Sequence, residues 1–128
     1  MQDKLVLLKR AYINLSEVMV NGNIDNILLD AIMKRFQLTY EMCYQTLSLY
    51  LSENSIDVFS EPKEVFNKSL ELGLLNNETD KAILIRMTKD IELIMTEYDS
   101  KLYRGVFERI KVSYISVFTG IIEKLDKL

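Results

Sequence analysis

Apolar residues recur at intervals of three and four along almost the whole chain, which is the periodicity of helices with one buried face. The pattern predicts a first helix over about residues 3–20, ended by the turn signal Asn21-Gly22-Asn23. A second apolar stripe runs from Ile24 to Tyr50 and predicts a helix of about 30 residues, or about 45 Å. The polar, irregular stretch over residues 52–60 is predicted to be a loop.

Residues that commonly begin or end helices divide the rest of the chain. Pro62 fits the first turn of a short third helix, and Gly73 can supply the left-handed residue that ends it. Asn77 and Asp99 are suited to cap a fourth helix and a long last one. The prediction is an all-α fold in which a single domain over residues 1–128 forms an antiparallel, up-and-down four-helix bundle with one additional short helix.

Composition excludes several kinds of chemistry. There is no histidine, so histidine-dependent hydrolysis and most zinc sites are impossible within the 128 residues. The one cysteine, Cys43, lies on the apolar face of the second helix and is expected to be a buried, inert thiol. Sixteen basic against nineteen acidic residues leave a net charge of −3, which argues against a strong nucleic-acid footprint. We expect no intrinsic metal or cofactor.

Hydropathy bears on location and partners. The short apolar run at residues 5–8 is broken by Lys9 and Arg10, unlike a signal peptide, and no stretch is long enough to cross a membrane. A cytoplasmic location without membrane contact is therefore expected. The mean hydropathy of +0.03 is high for a charged helical domain and hints that a partner covers one apolar face.

The charged residues give no function by their spacing alone. Asp90 and Glu92, like Glu97 and Asp99, are two apart and point away from each other on a helix, so solvated surface is the default interpretation. The last helix carries a mild excess of basic residues, too weak for a nucleic-acid stripe.

Short segments of local sequence give more information about function than the charged residues do. Residues 35–42 read R-F-Q-L-T-Y-E-M, and they are followed by Thr46-Leu47 with Tyr50-Leu51, E-P-K-E-V-F at 61–66, L-G-L-L at 72–75, Tyr98-Asp99, and F-E-R-I at 107–110. In this order the segments resemble "R-F-E-x-T-Y/F-E-L", "T-L-x-x-Y-L", "S-P-R-E-V-I", "x-G-L-I", "H-x-Y-D" and "Y-E-R-I" of the nucleotidyltransferase substrate-binding subunits, small helical proteins of the HEPN superfamily. The resemblance spans about two thirds of the chain and implies a HEPN-like bundle.

The chain departs from this superfamily at the positions that carry its ribonuclease chemistry. Active HEPN ribonucleases use an "R-x4–6-H" motif at a dimer cleft. Aligned on Asp90 and Tyr98, the motif "D-R-N-x-x-x-H-x-Y-D" places Ile91 where the arginine belongs and Thr96 where the histidine belongs. Because a histidine general acid or base contributes about 10²–10⁴-fold to a rate, the resemblance implies a HEPN fold without catalytic residues of its own.

Four residues in the matched segments are candidates for a cleft or substrate-binding site: Arg35, Glu41, Asp90 and Tyr98. Glu41 either lines a shared cleft or pairs with a basic residue such as Lys34 or Arg35 of another helix or subunit. Arg35 either meets a nucleotide phosphate or forms a salt bridge within the bundle. Tyr98 falls where related toxin-type HEPN proteins carry a tyrosine that receives adenylate; its alternative is packing against the start of the last helix.

The resemblance implies a non-catalytic substrate-binding subunit in a two-component system. Its partners would be a second copy of the chain and a small nucleotidyltransferase encoded nearby, which would bind the nucleotide and Mg²⁺. The alternative is an RNA-cleaving HEPN toxin neutralised by a nucleotidyltransferase antitoxin, which Ile91 and Thr96 disfavour. A helical adaptor without any link to nucleotides is the third hypothesis.

Overall fold

A computed structural model describes residues 1–20, 22–56 and 61–128, and these residues are almost entirely helical. The helices are α1 (Gln2–Met19), α2 (Asn26–Glu53), α3 (Pro62–Glu71), α4 (Glu78–Thr96), α5 (Ser100–Arg109) and α6 (Ile115–Asp126). Between α5 and α6, Ile110–Tyr114 form one π-helical turn, so the two helices continue into each other. The predicted all-α fold of four long helices and one short helix is confirmed, although the π turn was not expected.

The predicted helix boundaries follow from local hydrogen bonding. The Asn77 side chain accepts a hydrogen bond from the backbone N–H of Asp80 at 2.9 Å, and Asp99 accepts one from the N–H of Lys101 at 2.8 Å. Gly73 follows α3 with a φ of +79°, a left-handed conformation that suits glycine. Both predicted caps and the predicted glycine stop are therefore confirmed.

Two sequence predictions fall partly outside the described residues. They are the turn residue Asn21 and the second half of the loop predicted over residues 52–60, including Ser60 of the helix entry. Within the described part, Ser52 and Glu53 still belong to α2.

Contacts between helices show how the bundle is wound. The amino terminus of Met1 contacts the Glu53 carboxylate, at the far end of α2, at 2.8 Å. Lys9 forms an ion pair with Asp126, and one turn further along α1 the hydroxyl of Tyr12 lies 2.6 Å from that of Thr119. Helix α1 therefore runs antiparallel to both α2 and α6. On the other side of α2, the hydroxyls of Tyr40 and Thr88 lie 2.6 Å apart, which joins α2 to α4. This central position of α2 makes it the helix that both the core and the candidate site depend on.

The core surrounds the inward face of α2. Phe36 is fully buried, with its ring centroid 5.4 Å from that of Tyr114 and 6.4 Å from that of Phe118. Cys43 is also buried, as predicted, and burial raises the pKa of its thiol to about 12, so it stays protonated at neutral pH. None of the helices in the described ranges is long and apolar enough to cross a lipid bilayer.

Candidate functional site

Tyr98 stands in the short connection between α4 and α5, and 76% of its surface is exposed. Its hydroxyl donates a hydrogen bond to Oδ2 of Asp30 on α2 at 2.6 Å. The ring meets that of Tyr103 edge to face, with centroids 5.6 Å apart. Tyr98 is thus an exposed phenol whose hydroxyl is held in one place by a carboxylate.

The hydrogen bond to Asp30 raises the pKa of Tyr98, because ionisation of the phenol would remove the donated proton and set two negative charges side by side. The phenol is therefore neutral at physiological pH. Asp30 is positioned to accept the proton if the Tyr98 oxygen forms a new bond.

A shallow depression of about 260 Å³ surrounds this pair. It is lined by Asp30, Met33, Lys34, Gln37, Ile94, Tyr98 and Tyr103. The Lys34 ammonium is the one cation on this lining, and it can attract a phosphate group brought to Tyr98. The depression therefore combines a hydroxyl, a candidate base and a cationic side chain.

Arg35 and Glu41 lie together at a neighbouring depression on the outer side of α2, which also includes Lys34, Gln37 and Leu38. The Arg35 guanidinium donates to the backbone carbonyl of Asn14 on α1 at 2.9 Å, a contact that fastens α1 to α2. Because Lys34 and Gln37 line both depressions, the structure brings three of the four predicted residues to adjoining surfaces.

Asp90 is the exception. Its carboxylate is completely buried in the bundle, so the interpretation as solvated surface is wrong and the residue does not lie at the depressions beside Tyr98. Arg109 donates to Oδ2 at 2.9 Å and to Oδ1 at 2.8 Å, and the Tyr114 hydroxyl donates to Oδ2 at 2.5 Å. The bidentate contact raises the pKa of Arg109, while burial raises that of Tyr114, so both donors keep their protons.

The π-helical turn explains how two residues of one helix reach the same carboxylate. In an α-helix, residues five apart are separated by about 140° around the axis, so Arg109 and Tyr114 would point in different directions. A π turn closes i→i+5 hydrogen bonds, as the Ile115 N–H does to the Ile110 carbonyl, and brings residues five apart closer to one face. The buried Asp90 is thereby satisfied from a single helix.

The two positions of the lost ribonuclease motif lie in different environments. Ile91 is a core residue, packed with Leu84 and Met87 on the inward side of α4. Thr96 is exposed at the end of the helix, where its hydroxyl donates to the Glu92 carbonyl at 2.9 Å. No group of three or more acidic or cysteine side chains in the described residues is arranged to hold a metal ion.

Sequence reasoning missed Asp30, Arg109 and Tyr114. Asp90 did carry a detectable signal, since it lies on the apolar stripe of α4 between Met87 and Ile91, and a carboxylate on a buried stripe requires a cationic partner. Nothing in the sequence pairs Asp30 with Tyr98, because they are 68 positions apart.

The comparisons with known proteins now identify the class. The family described as "Nucleotidyltransferase substrate binding protein like" matches residues 3–127. The chain belongs to this family, and its fold is that of the HEPN-like helical proteins. Among curated proteins none matches the chain.

Several solved structures share the fold. A Thermus thermophilus protein, ttk003001694, is 25% identical with a TM-score of 0.83, and the match covers 92% of this chain and 98% of that one. A tri-AMPylated Shewanella oneidensis HEPN toxin in complex with an MNT antitoxin is 15% identical with a TM-score of 0.82, covering 98% and 96%. A toxin–antitoxin with AMP-PNP is 15% identical with a TM-score of 0.81, also covering 98% and 96%.

Proposed function

We propose that this protein is the partner and acceptor subunit of a two-component nucleotidyltransferase system, in which a separate enzyme binds the nucleotide. The observation that carries the proposal is the exposed Tyr98 hydroxyl on the Asp30 carboxylate, in a chain of the nucleotidyltransferase substrate-binding family. A HEPN toxin of the same fold is AMPylated and sits in a complex with an MNT antitoxin, which supports a similar relationship here. ATP and Mg²⁺ bind the separate enzyme, and this chain presents the tyrosine.

The proposed reaction uses groups already in contact. The Tyr98 oxygen attacks the α-phosphorus of ATP, a new P–O bond forms, and the bond to the pyrophosphate oxygen breaks. The phenolic proton passes to Asp30, whose oxygen lies 2.6 Å away. Lys34, at the rim of the same depression, stabilises the negative charge of the transferring phosphoryl group. The products are adenylated Tyr98 and pyrophosphate.

The direct test is intact-mass measurement after incubation with the co-encoded nucleotidyltransferase, ATP and Mg²⁺. We expect the wild-type chain to gain adenylate and Tyr98→Phe to lose the modification at that site. Tyr103→Phe is the matched control, because it removes the hydroxyl of the neighbouring tyrosine, which donates to the Glu97 carbonyl at 3.2 Å. An unchanged wild-type mass, or modification that persists in full in Tyr98→Phe, refutes the acceptor role.

Asp30 has its own test. In Asp30→Asn the amide oxygen can still accept the hydrogen bond but cannot take the proton, so adenylation should slow by about 10²-fold or more at neutral pH. The deficit should shrink as the pH approaches the tyrosine pKa, since the phenol then ionises without a base. An unchanged rate, or a deficit that is constant with pH, would exclude Asp30 as the base.

The proposal also includes assembly. The chain forms a homodimer of about 30 kDa, twice its 15.0 kDa, and the dimer binds the nucleotidyltransferase. Light scattering after size exclusion, with and without the enzyme, tests both steps. A chain whose mass is unchanged by the enzyme contradicts the two-component proposal and favours a helical adaptor.

The HEPN toxin neighbours favour one second candidate, an RNA-cleaving toxin held by its antitoxin. Growth arrest on expression of the chain alone, together with RNA cleavage by the purified protein, would support it. Neither is expected, because Ile91 and Thr96 offer no guanidinium or imidazole.

A further inference from the structure

The outward-facing stripe of α2 carries an ordered pattern of charge around an exposed leucine. Lys34, Leu38, Glu41 and Gln45 are spaced at i, i+4, i+7 and i+11 and therefore share one face, which we call the outer face of α2. Leu38 is 50% exposed, unusual for a leucine in the middle of a 28-residue helix whose opposite side is core. The outer face thus places one apolar side chain between a cation and an anion.

Neither of these charges is paired with another side chain among the described residues. In the part of the chain that the structure describes, Lys34 and Glu41 make no hydrogen bond or ion pair, whereas nearby Arg35 is bound to the Asn14 carbonyl. Being seven residues apart, Lys34 and Glu41 are separated by about 10 Å along the helix, too far to pair with each other. Both charges therefore remain available to a second molecule that packs on this face.

The surface shape around Leu38 adds a second observation. One depression, lined by Lys34 and Glu41 among others, lies on one side of Leu38. Another, lined by Leu7, Arg10 and Met42 among others, lies on the other side. Leu38 therefore forms a ridge between two hollows, and a second copy of this surface can place its own Leu38 in one of these hollows.

The pattern is complementary to itself only in one orientation. If two copies of α2 pack antiparallel about a two-fold axis near Leu38, Lys34 faces Glu41 of the partner subunit, and the symmetry makes the second pair identical. In a parallel arrangement each charged side chain would face the same residue of the partner subunit, and the two equal charges would repel each other. We propose that the homodimer forms through the outer face of α2, antiparallel about Leu38, with two reciprocal Lys34–Glu41 pairs.

This inference deepens the proposed function by specifying the dimer that it includes. Because Lys34 and Gln37 line the Tyr98 depression as well, the partner subunit would lie beside each acceptor tyrosine. A nucleotidyltransferase docked on the outer face of α2 is the competing occupant.

Charge reversal tests the register. K34E and E41K each replace two attractions by two repulsions, and each should weaken the dimer by on the order of tenfold or more in sedimentation equilibrium. The double variant K34E/E41K restores both pairs with the signs exchanged and should return to within about threefold of wild type. K89E, which reverses an exposed lysine on α4, is the matched control and should leave the dimer unchanged.

The apolar centre is tested with L38D, which should abolish the dimer at micromolar concentration while circular dichroism shows an unchanged helix content. V112D, at an exposed valine of the π turn, is its control. If L38D does not fold, the charge variants still decide the question.

Four results would overturn the proposal: a monomeric wild type, charge variants that dimerise normally, a double variant no better than the singles, or single reversals that strengthen the dimer. Adenylation of Tyr98 is measured on the wild type, E41K and L38D but not on the Lys34 variants, because Lys34 also belongs to the proposed acceptor site. Modification that persists while the dimer ignores all substitutions would refute the interface and leave the acceptor function standing. A dimer that responds to the substitutions as expected, in a chain that is never adenylated, would support the interface and refute the acceptor function.

Discussion

The buried Asp90–Arg109 contact allows a sharp prediction about stability. Asp90 has no exposed surface, and its two oxygens receive both guanidinium hydrogen bonds of Arg109 and that of Tyr114. Replacing Arg109 by Met keeps most of the side-chain volume but leaves a buried carboxylate without its main counter-charge. Removing one partner of a buried pair typically costs about 3–5 kcal/mol.

Two features of the structure place the expected cost near the lower end of that range. The Arg109 side chain is 30% exposed, so water already screens part of the interaction. In addition, Arg86 lies with Nε 3.6 Å from Asp90 Oδ1 and can partly replace the lost charge. We therefore expect Arg109→Met to lower the free energy of unfolding by about 3 kcal/mol.

Urea denaturation followed by circular dichroism measures this loss, and Arg104→Met is the matched control in the same helix. Arg104 is exposed and makes only long contacts, at 3.3 Å to the Ile24 carbonyl and 3.4 Å to Asn26, so its replacement should cost under about 1 kcal/mol. The double variant Asp90→Leu/Arg109→Met should be more stable than Arg109→Met, because it removes the stranded charge.

An Arg109→Met variant as stable as Arg104→Met would refute the reasoning. So would a double variant whose destabilisation equals the sum of the two single changes, since that would show no coupling between the side chains.

Further predictions concern the core, the helix ends and pH. Burial lifts the Cys43 pKa from 9.0 to about 12, so the folded state keeps the proton that the unfolded state loses. The contribution of Cys43 to the free energy of unfolding should therefore be constant below pH 9 and fall between about pH 9 and 12, and Cys43→Ala should show a smaller fall in urea titrations over that range. Phe36→Ala should cost about 3–5 kcal/mol by the same assay, because it empties the centre of the core, and a loss under about 1 kcal/mol would contradict the packing. Gly73→Ala should cost about 1 kcal/mol because of the positive φ, whereas Gly22→Ala, at a residue outside the left-handed region, should not. Asp99→Ala should cost about 1 kcal/mol and Asp99→Asn much less, since asparagine also caps.

The local sequence was sufficient to predict the helices and most of their boundaries. The period of the apolar residues fixed four long helices and one short one, and Asn77, Asp99 and Gly73 supplied the boundaries that the structure confirms. These features depend on residues within a few positions of each other, so a linear pattern contains them. The buried state of Cys43 followed in the same way from its position on an apolar stripe.

Features that join distant segments could not be obtained in this way. The π turn lies where Arg109 and Tyr114 both reach a buried carboxylate on another helix, and the local sequence Ile110–Tyr114 shows no break in helical pattern. Asp30 became part of the candidate site only because the antiparallel winding of α2 and α4 brings it to Tyr98.

The sequence by itself therefore determined the secondary structure, the family resemblance and the absence of histidine chemistry, since all three are read from residue types and short spacings. Only the tertiary structure decided that Asp90 is a buried ion-pair partner and that Tyr98 has a carboxylate at its hydroxyl. The physical reason is that burial and hydrogen bonding depend on which helices pack together, and neighbours along the chain do not specify that packing.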